Sequence, residues 1–245
     1  MMNDPAEFYT GLVAKLYEPL AGGISASSRF IQFVQQHGEP ALEICCGTGL
    51  PLLDLLEAGL EVEGIDASND MLEICAAKAR ERGLHATLHQ AKMQDFKTSR
   101  KFRSVYIANS SITLLPGDDE LRQTLSAIAH CLEPGGVVLF DLDMPPNVDG
   151  LRQHIGKFKE TQYEGSRIRV GMTEMDWHED DQKLIMQLRY ERINQQGEVE
   201  SVDRSWERKI WSIERFSELL VASGFHIRAV EHRDDELIQV ISSFG

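Results

Sequence analysis

The chain has 245 residues, 42% of them hydrophobic and 26% charged, which suits one soluble globular domain with room for a large insertion. Its formal net charge of −14 repels phosphate backbones, so no nucleic-acid partner is expected. Cys45, Cys46, Cys75 and Cys131 form neither a CxxC pair nor a Cys/His cluster with zinc spacing. The N-terminus lacks the segments of a signal peptide, and no apolar run nears the ~20 residues of a membrane span. A reduced cytoplasmic protein with no metal and no membrane contact is therefore expected.

Residues 5–20 read as a helix, with Phe8, Leu12, Leu16 and Leu20 at helical spacing, and Ser25 to Gln36 as a second. A regular alternation follows. "PALEIC" is a strand and "LPLLDLLEAG" a helix closed by Gly59. "LEVEGID" is a strand, and "SNDMLEICAAKARERG" a helix with Ser68 as N-cap and Gly83 past its end. "LHATLHQA" and "FRSVYIAN" are strands, "DDELRQTLSAIAHCLEPGG" is a helix ended by Pro-Gly-Gly, and "VVLFDLD" is a strand. Strands alternating with amphipathic helices predict βαβ units and a parallel sheet. After Pro145-Pro146 the helical period fades. "KFKETQYEG", "SRIRVGMTEMDWH", "KLIMQLRYERIN" and "EVESVDRSWERKIW" alternate apolar and polar residues, which predicts an antiparallel meander with one wet face. The helix "SIERFSELLVASG" and two strands, "FHIRAVEH" and "LIQVIS", joined by a tight acidic turn, complete the chain.

Gly47-Thr48-Gly49 sits between the first strand and the helix after it. A glycine-rich turn there lets backbone approach a ligand and aims helix N–H groups at negative charge. The dinucleotide pattern G-x-G-x-x-G fails in both frames, which read Cys45/Gly47/Leu50 and Gly47/Gly49/Leu52, so a nicotinamide or flavin site is disfavoured. Asp66 ends the second strand. It either accepts both hydroxyls of a ribose or simply starts the helix before Ser68.

Taken in order, "LEICCGTG", "GIDASNDML", "AKMQDF", "FRSVYIANSSI" and "LEPGGVVLFDLD" resemble the class I S-adenosylmethionine-dependent methyltransferase family over roughly residues 40–143. The C-terminal hairpin resembles that family's reversed final strand. The resemblance implies an α/β doubly wound, seven-stranded, mostly parallel sheet of the Rossmann-like type. Residues 1–145 and 211–245 would form the cofactor-binding domain, with 1–37 as a helical lid, and 146–210 an inserted antiparallel sheet serving as substrate lid or dimer contact. The implied cofactor is S-adenosylmethionine, leaving as S-adenosylhomocysteine. Glu43 would sit beneath its methionine portion, with Cys45, Gly47 and Gly49 passing the methionine and ribose. Asp66 would take the ribose hydroxyls, Ala67 and Met71 the adenine face. Ala91 to Gln94, Met93 among them, would flank the adenine edge, and Asn109 and Ser110 would line the floor near the sulfonium.

Two departures stand out. Cys45 replaces the family's usual glycine. Lys92 replaces an aspartate that accepts from the adenine amino group, leaving Asp95 or a backbone carbonyl to do so. Direct displacement needs no covalent nucleophile, and a base only if the acceptor arrives protonated. The lid resemblance offers Tyr9 and Tyr17 as contacts to the methionine portion or the acceptor, or as packing aromatics. Arg29 pairs with the methionine carboxylate or lies on a solvated helix face. In the meander, Trp177, His178, Tyr190, Arg192, Trp206 and Trp211 are packing or substrate-box residues, and His178 is a candidate base, since an imidazole ordinarily titrates near neutrality. The expected function is methyl transfer to a small molecule. The alternatives are a catalytically weak or inactive relative and a protein or RNA methyltransferase; a homodimer through a meander edge is also open.

Overall fold

A computed structural model describes residues 5–21, 27–233 and 237–244. The predicted parallel strands form β1 (Ala41–Ile44), β2 (Val62–Asp66), β3 (Thr87–Gln90), β4 (Phe102–Ile107) and β5 (Leu132–Asp143). Two C-terminal strands, β10 (Phe225–His232) and β11 (Leu237–Phe244), complete one seven-stranded sheet in the order β10-β11-β5-β4-β1-β2-β3. Only the β11 pairings to β5 and β10 are antiparallel. β1 is buried along its whole length between β2 and β4, which explains why "ALEI" shows no polar face except Glu43. The strand order reverses between β1 and β4, and the C-terminal ends of those strands leave the crevice where such sheets bind ligands.

Helices α4 (Leu52–Glu57), α5 (Asn69–Glu81), α6 (Asp118–Cys131) and α8 (Ile213–Ala222) cover the sheet. Ser68 caps α5 as predicted, accepting from Met71 N at 3.3 Å, and Ser212 caps α8 in the same way. α3 (Ser27–His37) packs on β4, with Phe30 stacked on Tyr106 at 5.1 Å. The expected start of α3 at Ser25 and the acidic turn 234–236 lie outside the described residues.

Three expectations are corrected. The N-terminal segment is two helices, α1 (Pro5–Phe8) and α2 (Leu12–Ala21), because Gly11 takes φ +57° and the Thr10 hydroxyl donates to Glu7 O at 2.8 Å. "EPGG" does not stop α6 but opens β5. The register jumps from Phe102↔Leu132 to Ser104↔Val137, so the extra residues form a bulge, and a Cβ at Gly136 would stand 2.9 Å from Glu133 O. Trp211 belongs not to the meander but to the main core, where its Nε1 donates to Asp118 Oδ1 at 2.9 Å.

The meander is a separate antiparallel sheet, β6 (Phe158–Tyr163), β7 (Ser166–His178), β8 (Lys183–Ile193) and β9 (Val199–Lys209), entered through a short helix α7 (Val148–Arg152). Its apolar face, with Ile168, Tyr190, Leu188, Val202 and Trp206, packs against Phe8, Leu12, Val13, Leu16 and Leu20 of α1 and α2. Each fully buried leucine there contributes about 1.5–3 kcal/mol to that contact. The N-terminal helices and the inserted sheet thus share one small core beside the main one. No helix among the described residues is long and apolar enough to cross a membrane.

Candidate functional site

The crevice opens into a cavity of about 390 Å³. One wall comes from the loop after β1, the end of β2, the start of α5 and residues 92–94. The facing wall comes from α1, α2, the turn after β4 and the end of β9.

The loop wall is held by Asp66. Its Oδ2 accepts from Gly47 N at 2.9 Å and its Oδ1 from Ser68 N at 2.8 Å. Burial pushes the Asp66 carboxyl above its usual range, while the N–H groups of Ser68, Gly47 and Ala67 pull it back. Gly47, at φ +52°, lines the cavity, and a Cβ on it would touch Met71 Cε at 3.4 Å. Cys45 has φ +63°, the left-handed region a glycine enters freely, so the family's usual glycine has a backbone reason. Burial, then the Asp66 and Glu43 charges, push the Cys45 thiol well up and keep it protonated. Glu18 of α2 accepts from the Thr48 hydroxyl and the Lys78 ammonium, tying the N-terminal helices to the loop.

Of the expected site residues, the cavity brings together Tyr9, Tyr17, Cys45, Gly47, Asp66, Ala67, Met71, Met93 and Gln94, with Lys92 beside them. Asn109, with Tyr17, Cys45 and Gly47, lines a smaller adjoining pocket of about 40 Å³. Gly49 stays outside the lining. A Cβ there would lie 2.8 Å from Cys75 Sγ and from Leu53 Cγ, so its role is close packing of the loop on α4 and α5. Ser110 is buried and leaves the lining to Ser111, while Asp95 is exposed outside it. Gln94, whose amide oxygen can accept a hydrogen bond, is the lining side chain that fits the role expected of Asp95. His178 is exposed at the end of β7, outside the cavity, because the strand carries it to the hairpin tip. Arg29 is on neither expected surface; its Nη2 pairs with buried Asp141 at 2.7 Å.

Glu43 lies one layer below, fully buried, with Oε2 accepting from the Tyr106 hydroxyl at 2.9 Å and Oε1 without a partner among the described residues. Burial raises its carboxyl well above the usual range, and the Asp66 charge adds to this; the Tyr106 hydroxyl and nearby Leu52 N–H oppose it. Above the unfolded-state value the folded protein therefore holds more protons than the unfolded chain, so this group withdraws stability as pH rises. Glu43→Gln keeps the Tyr106 bond and has no proton to lose. Its stability relative to the native protein should increase steadily from pH 5 to pH 8 in urea unfolding, and a flat difference would contradict this placement.

The facing wall contains residues that no motif announced. Arg208 of β9 donates through Nε and Nη2 to Thr113 Oγ1 at 3.0 and 2.9 Å and pairs with Asp143, with its guanidinium 4.8 Å from the Trp206 ring centroid. Burial lowers it to about 10. Burial likewise pushes the Tyr9 phenol well up, Tyr17 and Tyr190 add to this, and Arg208 opposes, so Tyr9 faces the cavity as a neutral hydroxyl. The Trp206 indole N–H lies near that hydroxyl but closes no hydrogen bond among the described residues. Tyr9 is fixed through its carbonyl, which accepts from Ser68 Oγ at 2.5 Å, and Gly11 N donates to Asp70 Oδ2 at 2.6 Å. Period-two alternation placed 199–209 in a sheet, but nothing in the sequence placed that sheet's end over the loop.

These residues fit S-adenosylmethionine. Asp66 offers carboxylate oxygens with lone pairs beyond those its two backbone bonds use, as a ribose diol requires. Ala67, Met71 and Met93 give an apolar bed for a purine.

Comparison with known proteins agrees. A family model described as a methyltransferase domain matches residues 41–136. A dTDP-3-amino-3,6-dideoxy-alpha-D-glucopyranose N,N-dimethyltransferase of Streptomyces fradiae is 34% identical over 145 residues, covering 56% of this chain and 55% of that protein. A dTDP-3-amino-3,4,6-trideoxy-alpha-D-glucopyranose N,N-dimethyltransferase of Streptomyces venezuelae is 39% identical over 100 residues, 41% of this chain and 40% of that one. The chain thus spans about half the length of these curated relatives. Among solved structures, an S-adenosylmethionine-dependent methyltransferase from Clostridium acetobutylicum superimposes with a TM-score of 0.75 over 94% of this chain and 96% of that one, at 17% identity. The sheet order, the Asp66-bound loop and these matches agree: residues 41–136 form a methyltransferase domain, and the chain has the fold of S-adenosylmethionine-dependent methyltransferases.

Proposed function

We propose that this protein transfers a methyl group from S-adenosylmethionine to the amino group of a small acceptor. The observation that carries the reading is Asp66, bonded to the N–H groups of Gly47 and Ser68 on one wall of a cavity whose other wall is built by a lid and an inserted sheet. When bound there, S-adenosylmethionine supplies an electrophilic methyl group on a sulfonium. The chain's own contribution is to hold, align and keep dry. Asp66 takes the ribose, and Tyr9 and Tyr17 close the cavity from the N-terminal side. The Cys45 thiol stays protonated and does not compete as a nucleophile.

An amine is favoured by the carboxylates in the acceptor half. Glu120 and Glu207 line the cavity, and among the described residues neither is in an ion pair. A carboxylate beside an incoming ammonium attracts it and can take its proton, which must leave before nitrogen can attack. The named relatives act on amino sugars, so amino sugars head the acceptor panel. The test is calorimetric binding of S-adenosylhomocysteine followed by a methyl-transfer assay on amines and their hydroxyl counterparts. Turnover of amines alone is expected. Binding without turnover of any amine would move the non-catalytic reading ahead.

A further inference from the structure

We propose that Lys183 and Lys209 form an anion-binding subsite at the inserted-sheet end of the cavity, so that the methyl acceptor carries a phosphate or carboxylate group besides its amine. Calling the anion part of the acceptor rests on the methyltransferase reading.

Lys183 and Lys209 stand directly opposite each other in the β8–β9 register, which puts both side chains on one face of the sheet. Both are half-buried and both line the cavity. Like charges directly across an antiparallel pair destabilise a sheet, and partial burial strengthens the repulsion. The hairpin turn between β7 and β8, just before Lys183, carries Glu179, Asp180 and Asp181, and Glu207 lies two residues from Lys209. Yet among the described residues no carboxylate comes within 4.0 Å of either ammonium; Lys209 Nζ instead donates to the Asp181 carbonyl. Asp118 feels the Lys209 charge but is itself engaged by Arg215 and Trp211, so in a chain of net charge −14 neither of the two facing lysines has a carboxylate in direct contact among the described residues. Arg208 adds a third cation on the same strand. Thr113 and Asp143 occupy its Nε and Nη2, leaving Nη1 without a bond among the described residues.

An anion between the two ammonium groups would relieve their repulsion and gain charge-assisted hydrogen bonds. It would also anchor the acceptor at a point remote from the reacting nitrogen, and such binding energy can be spent on alignment. A free cationic amine without an anionic group would gain nothing from this end.

The test uses the full chain loaded with S-adenosylhomocysteine, titrated calorimetrically with inorganic pyrophosphate and, separately, with succinate. Pyrophosphate binding by the native protein is expected, weakened about tenfold or more by Lys183→Ala with Lys209→Ala and retained by Lys183→Arg with Lys209→Arg. S-adenosylhomocysteine affinity should be the same in all three proteins. Tighter pyrophosphate binding points to a phosphorylated acceptor, and tighter succinate binding to a carboxylated one; either supports the subsite. Equal anion affinity in the alanine double variant overturns it, as does a native protein that binds S-adenosylhomocysteine but neither anion. Failure to bind S-adenosylhomocysteine at all would overturn the methyltransferase reading and the acceptor assignment with it.

Discussion

Asp66→Ala should weaken S-adenosylhomocysteine binding by about a hundredfold or more, since under the proposed ribose placement it removes two charge-assisted hydrogen bonds worth ~1.5–3 kcal/mol each. In the structure the same carboxylate also orders the loop. Without it the N–H groups of Gly47 and Ser68 lose their partner, and the fold should lose about 1–3 kcal/mol while remaining native. Asp66→Asn separates the two effects. It can still accept from one N–H but lacks the charge, so its affinity should fall between the two. The native carboxyl is held above its usual range chiefly by burial, and the ribose hydroxyls favour its ionised form. Native affinity should therefore fall as pH drops through that raised value, and the asparagine variant should lack this dependence. Calorimetry across pH measures all three. An alanine variant within threefold of native affinity would mean the ribose is held elsewhere.

The parts legible in the sequence are those set by local period and by short-range backbone chemistry. β1 to β5 alternate with helices because runs such as "ALEI" and "FRSVYI" are apolar on both faces, and the sheet buries both. Gly47 and Asp66 are readable because a loop and the end of the adjacent strand meet whenever two parallel neighbours are in register, here Ile44↔Ile65. The misses have physical causes of their own. Gly11 interrupts a helical period that its apolar neighbours maintain, so one helix was expected where two exist. Pro134-Gly135-Gly136 carries the usual signs of a helix stop, but the same glycines serve a strand bulge. The second cavity wall is the largest omission. Arg208 meets Thr113 and Asp143 across separations of 95 and 65 residues, and no periodicity encodes such a contact. Of the meander residues named from sequence, Trp206 of β9 lines the cavity and His178, a candidate only because imidazole suits a base, does not.

Arg29→Ala should cost about 3 kcal/mol of stability, roughly 10 °C in Tm for a chain of this length. Asp141 is fully buried in β5 and accepts from three elements at once: Arg29 Nη2 at 2.7 Å, Asn109 N at 2.9 Å and Gln239 Nε2 at 2.8 Å. Removing the cation leaves that carboxylate with two neutral donors and no counter-charge. Arg29 also stacks over Phe30, with 4.5 Å from the guanidinium carbon to the ring centroid, so some packing is lost too. The pH dependence identifies the cause. Burial already lifts the Asp141 carboxyl, and Arg29 is the first influence holding it down. Without Arg29 it rises further, so the folded variant holds its proton over a wider range than the unfolded chain does, and loses stability as pH climbs through that range. The deficit relative to the native protein should thus be largest near pH 8 and shrink on acidification, as a neutral carboxyl no longer needs the arginine. Urea unfolding of both proteins at several pH values decides the matter, and a deficit independent of pH would assign the loss to packing over Phe30. The cost should extend to the site. Asp141 fixes the turn at Asn109 and Ser110, both at φ +54°, and that turn delivers Ser111 to the cavity wall. A loosened turn should raise KM for the acceptor, because it delivers Ser111 to the cavity wall and Asn109 to the adjoining pocket.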